Sequence, residues 1–509
     1  MDSIVYYRPE WTSGRYNKEH SVAIYYNLIQ GFSYFFEDYS ALVMGIILHC
    51  ERNKAITLEE ISKQTNIAED SLKPFLDELC DMYLLIKNPP TKEFINEYRK
   101  SILKDRIDNV MHSQEESIKS KLPFESSNAE MEYMDKVGGV CSVMFELTYN
   151  CSEKCIHCYN IGATRNDEEQ SHRYNKEELV LSDYIRIIDE LYDAGLVKVI
   201  LTGGDPFSKP HTWEIIDYLY KKGIVFDIFT NGQKLVNKVQ KLADYYPRLV
   251  GVSLYSGNAA DHDFITRIKG SWSKSMLVIE QLSKLAVPMN IKCCVMRPNV
   301  KSYRQINGIA QKYGAKPQFE VNITDSIEGD KCASTYLRLT PDLLRIVLRD
   351  SNIPMYVGKE APNYGGQPRV MDEKSCGAGD FSFCITPTGD MIPCCSFHLL
   401  LGNLKEQTIT DILTQSKNLK FWRHLTLRDY EECGTHDYCD YCNLCAGNNY
   451  SEHKTPLKAA ENNCYMAKQR YNLAMEMMKG YDPLENRSID ECLEDIPVVC
   501  SQKIRKIFN

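Results

Sequence analysis

Cys151, Cys155 and Cys158 stand at C-x3-C-x2-C in "CSEKCIHC", directly after "SVMFELTYN", whose alternation suggests a strand. Four thiolates complete a tetrahedral zinc site or an ordinary 4Fe–4S cluster, whereas three leave one coordination position open. A structural zinc with a distant fourth ligand, or with His157, is the plain alternative. It holds only if the surroundings carry no further chemistry, and they do carry it. "TGGDP" (Thr202 to Pro206) ends the next apolar run, "TNG" (Thr230, Asn231, Gly232) the one after, and "SLYSG", with Ser253, the fourth. Paired glycines let a ligand approach the backbone, and their carbonyls accept hydrogen bonds from an ammonium group. Ser253 is placed to reach a ribose or a carboxylate. One GG or NG at a strand end is usually a turn. The cysteine loop and these three motifs, in register on consecutive strands, point to one site.

The elements that position them follow from periodicity. From about 140 to 330, apolar runs such as "VKVILT", "IVFDIFT", "LVGVSLY", "PMNIKCCVM" and "PQFEVNIT" alternate with helical segments. Six βα units in sequence predict a parallel α/β sheet, either a barrel or an open sheet. In either arrangement, chemistry collects at the carboxyl ends of the strands, where all four motifs lie. Glu146 and Glu320 also fall on these strands, and nothing in the sequence separates them from structural carboxylates.

A second cysteine field begins at 376. It holds Cys376, Cys384, Cys394, Cys395, Cys433, Cys439, Cys442, Cys445 and Cys464, nine in all and one more than two 4Fe–4S clusters need. Periodicity fades here, which predicts a small loop-rich domain held by metal. One or two structural zincs are the plain alternative, since both metals take tetrahedral thiolates. Of the twenty cysteines, Cys50, Cys80, Cys141, Cys293 and Cys294 lie in apolar runs and read as ordinary core residues. Cys332, Cys492 and Cys500 stay unassigned.

The chain has 509 residues and a formal charge of −9. That length predicts several domains, and that charge argues against a nucleic-acid binder. The first residues hold no apolar signal core, and no apolar run is long enough to cross a bilayer. The expected location is therefore cytoplasmic, with no membrane partner. Cysteines spaced as C-x2-C suit metal sites or clusters there better than disulfides.

On these residues the stretch from about 140 to 330 resembles the radical S-adenosylmethionine (SAM) superfamily. The resemblance rests on the C-x3-C-x-aromatic-C loop with His157 in the aromatic place, on Gly203-Gly204-Asp205-Pro206, and on "SLY…HDFITRIKGSW". It implies a partial (β/α)6 barrel with a 4Fe–4S cluster on Cys151, Cys155 and Cys158. The open iron would take the amino and carboxylate groups of SAM. One electron would then cleave the sulfonium to a 5′-deoxyadenosyl radical that abstracts hydrogen from an unactivated carbon. Carried across, Gly203, Gly204 and Asp205 hold the methionine amino end. Asn231 and Ser253 lie near ribose or carboxylate, and His157 lies near adenine. Asp205 stands where the family more commonly has Glu.

The second cysteine field resembles the SPASM extension of such enzymes, which usually carries two auxiliary 4Fe–4S clusters. Its dense group departs from the usual spacing. Taken by order, Cys433, Cys439, Cys442 and Cys464 hold the outer cluster. Cys376, Cys394 and Cys445 hold the inner one, with Cys384 or Cys395 as a possible fourth ligand or an iron left open to a substrate thiolate.

Residues 20–90 predict a winged-helix α+β module. The capping box Thr57-x-x-Glu60 starts one of its helices. Its would-be recognition helix carries Glu69, Asp70, Asp77, Glu78 and Asp81 against Lys73, which repels DNA phosphate. A metal-stabilised DNA-binding regulator is thus the disfavoured reading of another class. The pattern resembles instead the RiPP recognition element, which binds the leader of a ribosomal precursor peptide as an added strand. The expected docking edges are near "VAIYYN" or "FSYFF".

The implied order is module 20–90, linker 91–137, barrel 138–330, bridging region 331–375, SPASM domain 376–470 and tail 471–509. The implied function is an oxygen-sensitive oxidoreductase that cross-links a precursor peptide, a thioether first. An anaerobic sulfatase-maturating or a peptide-epimerising enzyme is the alternative. The implied partners are the precursor peptide and a reducing protein such as flavodoxin or ferredoxin.

Overall fold

The computed structural model describes residues 4–112, 128–160, 178–325 and 335–496. Cys332, Cys500, the loose half of the expected linker and the end of the tail lie outside the described residues.

Residues 4–86 form the expected α+β module. β2 (Thr12–Asn17), β3 (Val22–Asn27) and β4 (Phe32–Glu37) make an antiparallel sheet in the order β2-β3-β4. β1 (Val5–Tyr7) pairs with β5 (Ala55–Thr57). α1 (Asp38–His49), α2 (Leu58–Thr65) and α3 (Glu69–Asp81) pack on this frame. The Thr57 capping box forms as the sequence predicts: Glu60 N donates to Thr57 Oγ1 at 3.1 Å, and Thr57 N donates to Glu60 Oε2 at 2.8 Å. The module starts well before residue 20. Its second strand, "TSGRYN", is polar and shows no alternation. Gly14 is needed there because a Cβ would sit 2.2 Å from the Ile24 carbonyl oxygen. One expectation fails: "VAIYYN" is β3, the central strand, paired on both sides and buried along its length. The sheet's edges are β2 and β4. β2 faces the barrel, where Ser13 Oγ donates to Gly223 O (2.6 Å) and Arg15 to Leu196 O (3.1 Å).

The connector is not loose where it is described. α4 (Lys92–His112) buries Arg106, whose guanidinium donates to Ala286 O at 2.9 Å in the barrel and to Ile29 O in the module. α5 (Asn128–Val137) brings Glu130 between Lys198 (2.6 Å) and Tyr26 (3.1 Å), joining the same two bodies.

The barrel strands are β6 (Ser142–Glu146), β7 (Lys198–Thr202), β8 (Val225–Thr230), β9 (Leu249–Ser253), β10 (Met289–Cys294) and β11 (Lys316–Glu320). They run parallel in chain order. The outer helices are α6 (Leu181–Asp193), α7 (Thr212–Lys222), α8 (Val239–Ala243), α9 (Ala259–Thr266), α10 (Ser271–Lys284) and α11 (Gln305–Tyr313). Alternate residues such as Val143, Phe145, Ile291 and Cys293 join their apolar faces in one core. That leaves the other strand face, with Glu146, Ser253 and Lys292, to the interior. The SPASM segment extends this sheet. β12 (Ser382–Ile385) pairs parallel to β6, and β13 (Asp390–Ile392) and β14 (Gly402–Asn403) follow. Among the described residues, no helix is long and apolar enough to cross a membrane.

Candidate active site

The cysteine loop leaves β6 and is fastened on two sides. On one, Gly204 N donates to Thr148 O (2.6 Å) and Asp205 N to Asn150 O (3.0 Å). On the other, Lys154 N donates to Thr266 O (3.0 Å) and Ile156 N to Ile265 O (2.9 Å). The glycines have a packing reason as well as a ligand one. A Cβ on Gly203 would lie 2.4 Å from Thr148 O, and one on Gly204 2.4 Å from Asn150 O. Gly203 also has φ +126°, a conformation that side chains resist.

The loop brings Cys151, Cys155 and Cys158 within electrostatic reach of one another. Burial pushes the Cys151 thiol up to about 12 and Cys158 to about 11, and Cys155 well above its ordinary value. Neutral thiols are thus favoured until a cation arrives to hold them as thiolates. Asn231 Nδ2 donates to Cys151 Sγ at 3.2 Å, so its amide faces the thiol set. Among the described residues, no three His, Cys, Asp or Glu side chains converge on one ion position. A cluster gives each thiolate its own iron and does not require that.

Asp205 is fully buried and ties two strand ends together. Its Oδ1 accepts from Phe207 N (3.0 Å), and its Oδ2 accepts from Thr230 Oγ1 (2.5 Å) and Asn231 N (3.0 Å). His157 packs edge-on to Tyr255, ring centroids 4.6 Å apart, and burial lowers it to about 4. Tyr255 lies against both Ser253 and Cys155. Among the described residues, four buried polar atoms around this loop have no hydrogen-bond partner: Glu146 Oε1, Glu153 Oε1, His157 Nδ1 and Asn160 Oδ1. Unsatisfied buried groups are rare, and four together mark a place built for a ligand. The donor set therefore fits an iron–sulfur cluster with SAM beside it.

The structure also shows residues that the sequence hid. Glu153 lies inside the cysteine loop, 2% exposed, with burial pushing it up to about 8. Glu146 is 1% exposed and raised to about 7 by the same cause. Lys292 lays its Nζ 3.3 Å from the centroid of Phe229, across Gly251, and burial lowers it to about 8. A lone carboxylate or lysine in an alternating strand gives no sign of which face it occupies in the finished barrel.

The second field divides into two groups. Cys433, Cys439, Cys442 and Cys464 line one pocket, where Gly434 N donates to Cys439 Sγ at 3.3 Å. Cys376, Cys394 and Cys445 lie within electrostatic reach of one another. Cys384 and Cys395 both face Glu146.

A parallel barrel with three thiols on the loop after its first strand, joined to a cysteine-dense extension, defines an enzyme of SAM radical chemistry. The chain carries a domain that matches the radical SAM superfamily over residues 145–302. It also carries the iron–sulfur cluster-binding SPASM domain, matched over residues 376–446. It is 28% identical over 320 residues to the antilisterial bacteriocin subtilosin biosynthesis protein AlbA of Bacillus subtilis, covering 60% of this chain and 66% of that protein. It is 27% identical over 327 residues to the AdoMet-dependent heme synthase of Methanosarcina barkeri, covering 60% of this chain and 90% of that one. The fold is similar to that of Streptococcus suis SuiB bound to its precursor peptide SuiA, with TM-score 0.51, 13% identity and coverage of 90% and 99%.

Proposed function

We propose that this enzyme matures a ribosomally made precursor peptide by forming an intramolecular cross-link, a thioether first. The barrel does not choose the substrate, because its relatives include both a bacteriocin biosynthesis protein and a heme synthase. The observation that carries the reading is the N-terminal module. Among the described residues, the outer edge of its β4 pairs with no strand; β4 carries exposed Phe32, and its Phe36 meets Phe75 of α3 edge-on at 6.2 Å. A strand edge beside a helix is the geometry for β-augmentation by a leader segment.

Cys151, Cys155 and Cys158 would hold the cluster that binds SAM. Cys433, Cys439, Cys442 and Cys464 would hold an outer auxiliary cluster, and Cys376, Cys394 and Cys445 an inner one. With SAM bound, this assembly supplies a 5′-deoxyadenosyl radical. The chain's own part is placement. Gly203 and Gly204 offer carbonyls at the methionine end, His157 and Ser253 border the nucleoside, and Asn231 hydrogen-bonds a cluster thiolate. An iron left open in the inner set would hold a substrate thiol near the radical, which favours carbon–sulfur bond formation. Reducing electrons would come from a carrier of the flavodoxin or ferredoxin type.

The test is anaerobic reconstitution followed by reaction with SAM, reductant and the precursor peptide encoded beside the gene. The expected product has lost two hydrogens and one free thiol. A product of unchanged mass would indicate epimerisation. Reaction of a sulfatase fragment but not of the peptide would overturn the reading.

A further inference from the structure

Lys292 stands partly buried on the inner face of β10. Among the described residues its ammonium makes no hydrogen bond and no ion pair. The carboxylate within its electrostatic reach, Asp227, is taken by Arg248, which donates to it from Nε at 2.8 Å and again from Nη2. Phe229 covers one side of the ammonium, with Nζ 3.3 Å from the ring centroid, and leaves its other N–H donors without an acceptor. The placement is built into the sheet. A Cβ on Gly251 would lie 2.8 Å from Lys292 Cε and 2.8 Å from Phe229 Cδ1, so only glycine lets the lysine stem lie across β9 and reach the ring.

Register sets the depth of that ammonium. Lys292 pairs with Ser253, whereas Gly251, which pairs with Phe229, lies two residues earlier on β9. The tip of Lys292 therefore points down the barrel, away from Ser253, Asn231 and the thiol loop at its carboxyl end. Cys395 has both Lys292 and Glu146 within electrostatic reach. Lys292 thus borders the space between the SAM loop and the inner cysteine set, which a reacting residue must enter. A charge held in such a place is ordinarily paired. A peptide offers carboxylates and thiolates as anions, and the thiolate has already been given to the open iron. We propose that Lys292 is a substrate-binding residue that receives a carboxylate of the precursor peptide, either an Asp or Glu side chain beside the reacting residue or the peptide's C-terminus. The inference rests on the peptide reading given above.

The test uses full-length, anaerobically reconstituted wild type, Lys292→Met, which keeps the stem and removes the charge, and Lys292→Arg. The substrate is the precursor peptide encoded beside the gene, in its native form, with every Asp and Glu of its core as Asn and Gln, and as the C-terminal amide. Loss of one charge-assisted contact predicts a KM for the native peptide roughly 10- to 100-fold higher in Lys292→Met, with a smaller change in kcat, and partial recovery in Lys292→Arg. Wild type should show a similar loss on whichever peptide lacks the recognised carboxylate, and Lys292→Met should lose nothing further on that peptide. The amide arm marks the C-terminus and the Asn/Gln arm a side chain, and both arms read wild type without asking a variant to fold. A wild type indifferent to both altered peptides would overturn the proposal. So would a Lys292→Met KM within about a factor of two of wild type. So would a parallel fall in SAM affinity by equilibrium dialysis, since that would place Lys292 at SAM. A wild type that makes 5′-deoxyadenosine but leaves the native peptide unmodified would overturn the peptide reading, and this inference with it.

Discussion

Glu146 ends β6 with its carboxyl turned inward, and burial is the main force on it. Tyr149 and Asn160 face it and hold it down only partly. The native state therefore favours the neutral acid, while the unfolded chain ionises near its ordinary value of 4.5. The sign follows. The contribution is full below about 4.5 and is lost as pH rises toward about 7, a span of roughly 3 kcal/mol. Glu146→Gln removes that slope. Thermal melts of anaerobic enzyme from pH 5 to 7.5 should show wild type losing stability over the window relative to the variant. Parallel curves would contradict the assignment. Gly204 gives a steric counterpart. Its missing Cβ is what lets the cysteine loop lie against the second strand, so Gly204→Ala must displace the loop by overpacking, at about 1–3 kcal/mol. A lower melting midpoint with reduced iron content at the SAM-binding cluster is the expected result. Full iron content would show that the contact yields. Both glycines, and every thiol in this region, were legible as chemistry in the sequence. Glu146 and Glu153 were not, because a carboxylate's burial depends on packing that local sequence does not encode.

The elements show the same division. The six strands were readable from their apolar runs, whereas their order in the sheet came only from the resemblance to a partial barrel. α2 was readable as well, since its capping box states its own start. β2 was not, being polar and held by its pairing to β3 rather than by a buried face. Nor was the role of α4, whose charged composition reads as a solvated linker. Arg99 ties it to the barrel, donating to Ala243 O at 3.0 Å, Tyr98 accepts from Asn27 Nδ2 of the module at 2.8 Å, and Arg106 spans both bodies. Arg106 satisfies the carbonyls of Ile29 and Ala286 at once and so joins the module to the barrel. Arg106→Ala would leave two buried acceptors without donors, at about 1–3 kcal/mol each. Calorimetry should show the melting midpoint lowered by several degrees, with the single transition broadening or splitting as the module separates. An unchanged endotherm would show that α5 and the β2 contacts suffice by themselves.

At the scale of the whole molecule, the separate domains suggested by sequence share cores. Trp11, Ile24 and Tyr26 of the module, Tyr98 and Tyr133 of the connector, and Val197, Val225 and Tyr246 of the barrel form one buried cluster. The N-terminal module is therefore part of the barrel's floor and not an appendage on a tether. Deletion of residues 1–90 would uncover Val197, Val225 and Tyr246, an apolar patch of the kind that drives aggregation. The truncated protein should be insoluble or melt far below the full chain, and its loss of peptide processing would say nothing about leader recognition. A point change on the outer edge separates the two effects. Phe32 is 43% exposed on β4, so Phe32→Glu should leave the melting midpoint within about a degree. It should weaken binding of a fluorescent leader peptide by roughly tenfold, the loss of one apolar contact and its pocket. Peptide-independent formation of 5′-deoxyadenosine should persist in that variant. If leader affinity is unmoved by Phe32→Glu, the edge of β4 is not the docking site. A soluble, well-folded deletion would show instead that the shared core is dispensable and that the module is a separable domain.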